Sequence, residues 1–303
     1  MMHRRHLLHC LLATGGALLL PPAHAAGGGR KPQTPAKLFG DLEREFGLEL
    51  AVAILDSHDG SRIEHRAEQR VALLSTFKWL LAAMVLARVD HGEERLDRRL
   101  IVHPEALLDY APVSKKHLGP PGMQLAELCA AAVTLSDNTA ANVLLAHLGG
   151  PAALTAWLRA IGDDTSRLDR TEPGLNDVPP GALRDTTTPA AMLRDLKAIL
   201  LGDTLRPASR KTLLDWLRAC QTGSQRLRFG LPPDWDGGDK TGSSAVASDD
   251  VAIFWPPARK PLLIAAYCRG GNAKDRDFAL ASIGRMVVNQ ARAKADAGQM
   301  SKR

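Results

Sequence analysis

Four clusters of residues in this chain carry side chains able to attack a carbonyl, move protons or hold an anion. Ser75 is followed three residues later by Lys78, in Leu74-Ser75-Thr76-Phe77-Lys78. On a helix that spacing stacks the two side chains on one face. The apolar run Trp79 to Leu86 implies a buried helix. Desolvation there lowers the pKa of a lysine and makes it a proton acceptor for the serine. Free N–H groups and the dipole at the start of that helix favour negative charge developing at Ser75. Ser136-Asp137-Asn138 supplies a hydroxyl and a carboxamide from a short connection between two helix-like segments. Lys240-Thr241-Gly242 supplies a cation and a hydroxyl on a strand, with a glycine that admits a ligand close to the backbone. Glu172 and Asn176 are four residues apart and suit a shared water with the glutamate as its general base.

Each cluster also has a plainer reading. A chance Ser-x-x-Lys turns up roughly once in a chain of this length. Ser75 alone would be a helix cap and Lys78 a lysine reaching back to water. Ser136-Asp137-Asn138 is ordinary turn chemistry, and Glu172-Pro173 an ordinary solvated loop. The Ser-Asp-Asn and Lys-Thr-Gly triplets are rarer, on the order of a few chances in a hundred each. Their joint appearance in this order is what the plainer readings do not explain.

In that order, with Glu172 between the second and third, the motifs resemble those of class A β-lactamases and penicillin-binding proteins. The resemblance extends from about Phe39 to near the C-terminus. Met123 through Gly150 is similar to the family's central helices, and Arg167-Leu168-Asp169-Arg170 through Asp185-Thr186-Thr187-Thr188-Pro189 to its Ω-loop and the helix after it. The chain is identified as a member of the class A serine β-lactamases. That implies acyl transfer from a strained cyclic amide to Ser75, then hydrolysis of the ester by a water that Glu172 activates. It implies proton relay by Ser136 to the β-lactam nitrogen and a contact of Asn138 with the substrate's acylamide. Lys240 and Thr241 would meet the substrate carboxylate, with Gly242 allowing close approach. The N–H groups of Ser75 and Ser243 would form the oxyanion hole. Either Lys78 or Glu172 would serve as base for acylation.

Departures from the family pattern carry information too. Ala247-Ser248-Asp249-Asp250 lacks the arginine many relatives have there. Gly223-Ser224-Gln225-Arg226 instead resembles the branch whose arginine comes from the segment before the Lys-Thr-Gly strand. Arg226 is therefore the candidate second carboxylate contact, with Asp277 to orient it. Arg170 and Asp185 resemble the pair that closes the Ω-loop. Tyr110 matches the aromatic that walls the cleft entrance, or is a surface loop tyrosine. The nearest rival reading is a penicillin-binding D,D-peptidase, which lacks the Glu172–Asn176 pair. A second is a non-hydrolytic β-lactam sensor, normally tethered to a membrane. The resemblance leaves the substrate spectrum open.

Formal charge is +6, or about +4 once Arg4 and Arg5 are set aside, and it is scattered. It suits an anionic small molecule, the β-lactam, better than nucleic acid. The histidines show neither H-x-H nor H-E-x-x-H spacing, so no metal or other cofactor is expected. Monomer is the family expectation. Residues 1–26 read as an export signal of Sec or twin-arginine type: Arg4-Arg5, an apolar run from Leu7 to Leu20, then Ala23-His24-Ala25. The expected location is periplasmic or secreted, without stable membrane association. Cys129, Cys220 and Cys268 remain, an odd count. The family's usual bridge positions fall on Ala82, Leu74 and near Ser244, so no bridge is expected.

The elements that must position these residues follow from periodicity. Leu48 to Leu55 and Arg62 to His65 read as strands around His58-Asp59-Gly60, and Val251 to Trp255 and Leu262 to Tyr267 as a second pair. Thr188-Pro189 and Ser209 read as helix starts, Gly149 and Gly223 as helix stops. Strands at both ends with helices between imply an α/β (α+β) chain with a discontinuous domain. The resemblance makes this the two-lobed β-lactamase/transpeptidase fold. Residues 27–66 and 222–303 would form the α/β lobe, and 67–221 an inserted helical lobe with the Ω-loop at about 167–185. The site would lie between them.

Overall fold

The structure, a computed structural model, describes residues 33–300, so the expected signal over residues 1–26 lies outside it. Thr34 accepts the Lys37 N–H and Pro35 occupies the first turn, starting helix α1 (Pro35–Phe46). Gly47 at φ +63° ends it. Strands β1 (Leu48–Asp56) and β2 (Arg62–His65) follow, then the two-residue strand β3 (Val71–Ala72). A 3-10 turn, Leu74–Thr76, leads into α2 (Phe77–Asp90). Strands β4 (Arg99–Val102) and β5 (Gly119–Gln124) precede α3 (Leu125–Thr134), α4 (Asn138–Leu148) and α5 (Pro151–Ala160). Strand β6 (Thr186–Thr187) precedes α6 (Pro189–Leu200) and α7 (Pro207–Arg218). The chain ends on β7 (Asp236–Ser243), β8 (Ala247–Trp255), β9 (Leu262–Gly270) and α8 (Ala273–Met300).

The main sheet runs β2-β1-β9-β8-β7, antiparallel throughout, so its strands come from both ends of the chain. Side chains alternate between its two faces. One face presents Ala51, Ala53, Leu55, Ile253, Leu263 and Tyr267 to a core shared with the middle helices. The other presents Leu50, Val52, Ile54, Phe254, Ile264 and Cys268 to α1 and α8 through Phe39, Leu42, Leu280 and Ile283. Burial on both faces accounts for the apolar run Leu50 to Leu55 of β1. Every residue of α2 from Phe77 to Ala87 is buried, as its all-round apolar sequence predicts, and Lys78 is the one charged residue among them.

Strand β2 has the expected bounds, whereas β1, β8 and β9 run longer than the sequence indicates. Two short ladders, β3–β6 and β4–β5, are not legible in it. Thr188 caps α6 and Gly149 ends α4 in the left-handed region, both as expected. Ser209 is not a helix start. Helix α7 begins at Pro207, and Asp90 from the end of α2 does the capping work, accepting the Arg206 N–H at 2.7 Å and the Ser209 hydroxyl at 2.6 Å. Gly223 is not a helix stop either, since α7 ends at Arg218. A Cβ there would stand 1.4 Å from Asp239 Oδ2, so glycine is needed to let that strand residue pass.

Candidate active site

Ser75 is half-buried in the tight turn before α2. The turn is strained: Leu74, only 1% exposed, has φ +42°. A non-glycine residue in this region costs about 1–2 kcal/mol and persists only when its surroundings hold it there. Strand β7 is one of those surroundings. A Cβ on Gly242 would come within 2.9 Å of Leu74 Cβ and 3.3 Å of the Ser75 nitrogen, so only glycine lets the strand lie this close. The end of β7, with Ser243, is thereby brought alongside the N–H of Ser75.

Lys78 follows one helical turn later and is fully buried. Its Nζ lies 3.0 Å from Ser75 Oγ, 3.0 Å from Glu172 Oε1, 2.9 Å from Ser136 O and 2.5 Å from Asn138 Oδ1. Burial pushes its pKa below the ordinary lysine value, while the Glu172 charge and hydrogen bond push back. Ser136, at φ +59°, and Asn138 sit where α3 hands over to α4. The Ser136 hydroxyl stands between two ammonium groups, 3.3 Å from Lys78 Nζ and 3.1 Å from Lys240 Nζ. Lys240 is also fully buried. Burial, helped by the charge of Lys78, lowers its pKa to about 8. Tyr110, half-exposed, accepts the Asn138 N–H through its carbonyl at 3.0 Å.

Glu172 is fixed at both ends. Its N–H donates to Asn142 Oδ1 and its carbonyl accepts Asn142 Nδ2, each at 2.9 Å. Its carboxylate accepts Asn176 Nδ2 at 2.6 Å and lies 3.5 Å from Ser75 Oγ. At the neck of the 167–185 loop, Arg170 Nε meets Asp185 Oδ2 at 2.6 Å, and Asp185 Oδ1 takes the N–H groups of Asp169 and Arg170. The Asp185 carbonyl accepts the Leu73 N–H at 2.9 Å, tying the loop to the turn that carries Ser75.

Arg226 comes in from the segment before β7. Asp277 on α8 orients its Nε at 2.8 Å, and its other nitrogens reach the Gly242 carbonyl at 2.7 Å, the Asp249 carbonyl at 2.9 Å and Ser243 Oγ at 2.7 Å. Thr241 Oγ1 is 2.5 Å from Thr222 Oγ1. Hydrogen bonds and close contacts thus link Ser75, Lys78, Ser136, Asn138, Glu172, Asn176 and Lys240, while Arg226 joins Gly242 and Ser243, and Tyr110 touches the group through its backbone.

Two supporting residues escape the sequence reading. Asn142 clamps Glu172; the available signal was its place four residues after Asn138 on the same helix face. Asp137, fully buried, caps α4 through the Ala140 N–H. It also accepts the N–H groups of Val113 and Ser114 and the Ser114 hydroxyl, which pins the loop carrying Tyr110. Among the described residues no cluster of histidine, cysteine or acid is placed to hold a metal ion.

A model of the "Beta-lactamase enzyme family" matches residues 35–291. The chain belongs to that family. The carbapenem-hydrolyzing β-lactamase KPC of Klebsiella oxytoca is 44% identical over 243 residues, 80% of this chain and 83% of that protein. A β-lactamase of Stenotrophomonas maltophilia is 41% identical over 295 residues, 94% of this chain and 97% of its own. Among solved structures, an ancestral class A β-lactamase superposes with TM-score 0.81 at 56% identity, covering 83% of this chain and 97% of that one. A β-lactamase from Xanthomonas campestris gives 0.80 at 47%, covering 82% and 94%. The fold is that of the class A enzymes. The protein is a class A serine β-lactamase, a hydrolase that opens the β-lactam amide of penicillins and cephalosporins through a serine acyl-enzyme and so confers resistance.

Proposed function

We propose that Ser75 is the nucleophile and Glu172 the base for deacylation. The observation that carries this reading is Ser75 Oγ lying 3.0 Å from a desolvated Lys78 and 3.5 Å from Glu172 Oε1. Ser75 loses its proton to Lys78 or Glu172 as it attacks the lactam carbonyl. The oxyanion forms between the N–H groups of Ser75 and Ser243. Ser136, between Lys78 and Lys240, hands a proton to the departing nitrogen. Asn138 binds the acylamide. Lys240, Thr241 and Arg226 hold the carboxylate, with Gly242 open beneath it and Tyr110 at the entrance. A water held by Glu172 and Asn176 then attacks the ester.

General-base assistance is worth about 10²–10⁴-fold. Glu172→Ala should therefore accumulate a penicilloyl adduct, seen by intact mass spectrometry as the parent plus one whole penicillin on the Ser75 peptide. Ser75→Ala should show no adduct. A parent protein that already holds a long-lived adduct would instead be a D,D-peptidase or a sensor.

Residues 1–26 act in this reading as an export signal, which places the enzyme in the periplasm or outside the cell as a monomer. Among the described residues no helix is long and apolar enough to cross a membrane. The mass of the secreted protein should fit a start near Ala26 or Gly27; retention of the leader would refute this.

A further inference from the structure

Behind the Ser75 turn lies a second cavity of about 80 Å³, between the inner face of the sheet and the 176–182 stretch of the Ω-loop. Its exposed lining includes Pro180, Gly181 and Val246; its buried lining includes Leu74, Asp249 and Tyr267. Asp249 and Tyr267 are register partners on β8 and β9, so their side chains share a face. Each is only 2% exposed, yet among the described residues Asp249 Oδ2 has no hydrogen-bond partner and the Tyr267 hydroxyl has only Thr76 within reach, without good geometry. Thr76, beside that hydroxyl, gives its own proton to the Leu73 carbonyl. A buried polar atom left unpaired costs about 1–3 kcal/mol. Two of them on one small cavity mark a place shaped for something that pairs with both.

We propose that this cavity is a second ligand site, fitted to a compact planar cation of the amidinium type, and that its occupancy is felt at the hydrolytic centre through Leu74 and Asn176. An amidinium offers only N–H donors, in the fork a carboxylate accepts, and a phenol oxygen accepts one more. The volume is about half that of a cavity of roughly 150 Å³ known to take benzene, which limits the ligand to a few heavy atoms. Leu74 precedes the nucleophile, and Asn176, which also lines the cavity, donates to Glu172. Asp249 Oδ2 and the Ser75 nitrogen each lie 3.3 Å from where a Gly242 Cβ would stand. The unpaired carboxyl is thus one residue removed from the oxyanion donors.

Burial raises the Asp249 pKa well above the carboxylate range; Arg226, the Cys268 N–H and Arg276 act against it without reversing it. Tyr267 faces it from β9, where the Cys268 N–H also meets it, and the charges of Arg226 from before β7 and Arg276 from α8 act on it; Glu49, Arg70 and Arg269 complete the charged lining. Burial therefore favours the protonated form of Asp249, and a cation beside it favours the carboxylate, so binding draws the proton off.

The test is calorimetric titration of the full chain with acetamidinium chloride at pH 6 and pH 8, in buffers of different ionisation enthalpy. The expected result is one saturable site, tighter at pH 8, with about one proton released. Asp249→Asn should weaken binding about ten- to hundredfold, and nitrocefin turnover should respond to acetamidinium in the parent but not in that variant. No saturable binding, no proton release, or equal binding to Asp249→Asn overturns the site. Binding with unchanged turnover overturns the coupling. If Asp249→Asn fails to fold, crystals of the parent soaked in acetamidinium decide: the cation within hydrogen-bond distance of Asp249 and Tyr267 supports the site, and water alone there overturns it. The calorimetry needs no hydrolysis, so its outcome is independent of the roles given to Ser75 and Glu172.

Discussion

Lys240 is held at a pKa of about 8 by burial and by the neighbouring charge of Lys78, and its proposed role in holding the substrate carboxylate makes this a pH limit on substrate capture. In the free enzyme the ammonium is present below that value and lost above it. A bound carboxylate restores the charge by favouring the protonated form. The ratio kcat/KM reports the free enzyme and kcat the complex. We therefore expect kcat/KM for benzylpenicillin to fall above about pH 8 while kcat holds to higher pH. Lys240→Arg should move the fall upward, because a guanidinium stays protonated. A kcat/KM that is flat to pH 9.5 would remove Lys240 as the carboxylate's cation. Stability moves the other way. Between about 8 and the unfolded lysine value near 10.4 the unfolded chain binds more protons, so this residue's contribution rises with pH across that window. A loss of activity there is then not a loss of fold. Arg226 makes a separate case at the same scale. Losing one charge-assisted bond costs about 1.5–3 kcal/mol, so Arg226→Ala should lower kcat/KM for penicillins roughly ten- to hundredfold. Unaltered kinetics would place the carboxylate elsewhere.

At the scale of elements, the site depends on how α4 grips the Ω-loop. Asn142 makes both backbone bonds that fix Glu172, so Asn142→Ala should leave Ser75, Lys78 and Ser136 in place and loosen only Glu172, the proposed base. Slower deacylation with unchanged acylation lowers kcat and KM together and preserves kcat/KM. We expect roughly a tenfold fall in both, from two bonds worth about 0.5–1.5 kcal/mol each. A fall in kcat/KM alone would mean that Asn142 serves acylation. The legibility of the sequence divides along the same line. Motifs within one turn or one strand, such as Ser75 with Lys78 or Lys240 with Thr241, are readable because local geometry fixes them. So are strands β1 and β9, whose apolar runs reflect burial on both faces. The Asn142 clamp, the Asp137 pin on the 113–114 backbone and the capping of α7 by Asp90 are not, because their partners lie 23 to 119 residues away. Ser209 and Gly223 mislead for that reason: each is answered by a distant acid, Asp90 and Asp239.

At the scale of the whole molecule, the question is whether the proposed α/β and helical lobes unfold as two units or one. Chain order suggests two, since the helices of residues 67–221 are inserted into a sheet made from both ends. The cores suggest one. Ala51, Ile253, Leu263 and Tyr267 of the sheet lie in the same buried cluster as Trp79, Leu128 and Leu144 of the helices. Removing the helices would expose the inner face of the sheet, at about 25 cal/mol for each Å² of apolar area. Among the described residues, Cys129, Cys220 and Cys268 are placed to decide. All are free and buried, Cys129 in the shared cluster and Cys268 on the other face of the sheet. Burial raises the pKa of each thiol, that of Cys268 to about 12, so the native protein should hardly react with Ellman's reagent and the denatured, unreduced protein should yield about three thiols. Labelling in rising urea, read peptide by peptide, follows the opening of each core. We expect Cys129 and Cys268 to become reactive with the same urea dependence, because neither core survives loss of the sheet they share. Labelling of Cys129 at lower urea than Cys268, with a smaller slope, would show the helical lobe opening on a sheet that stays folded, and the two lobes would then be separate units of stability.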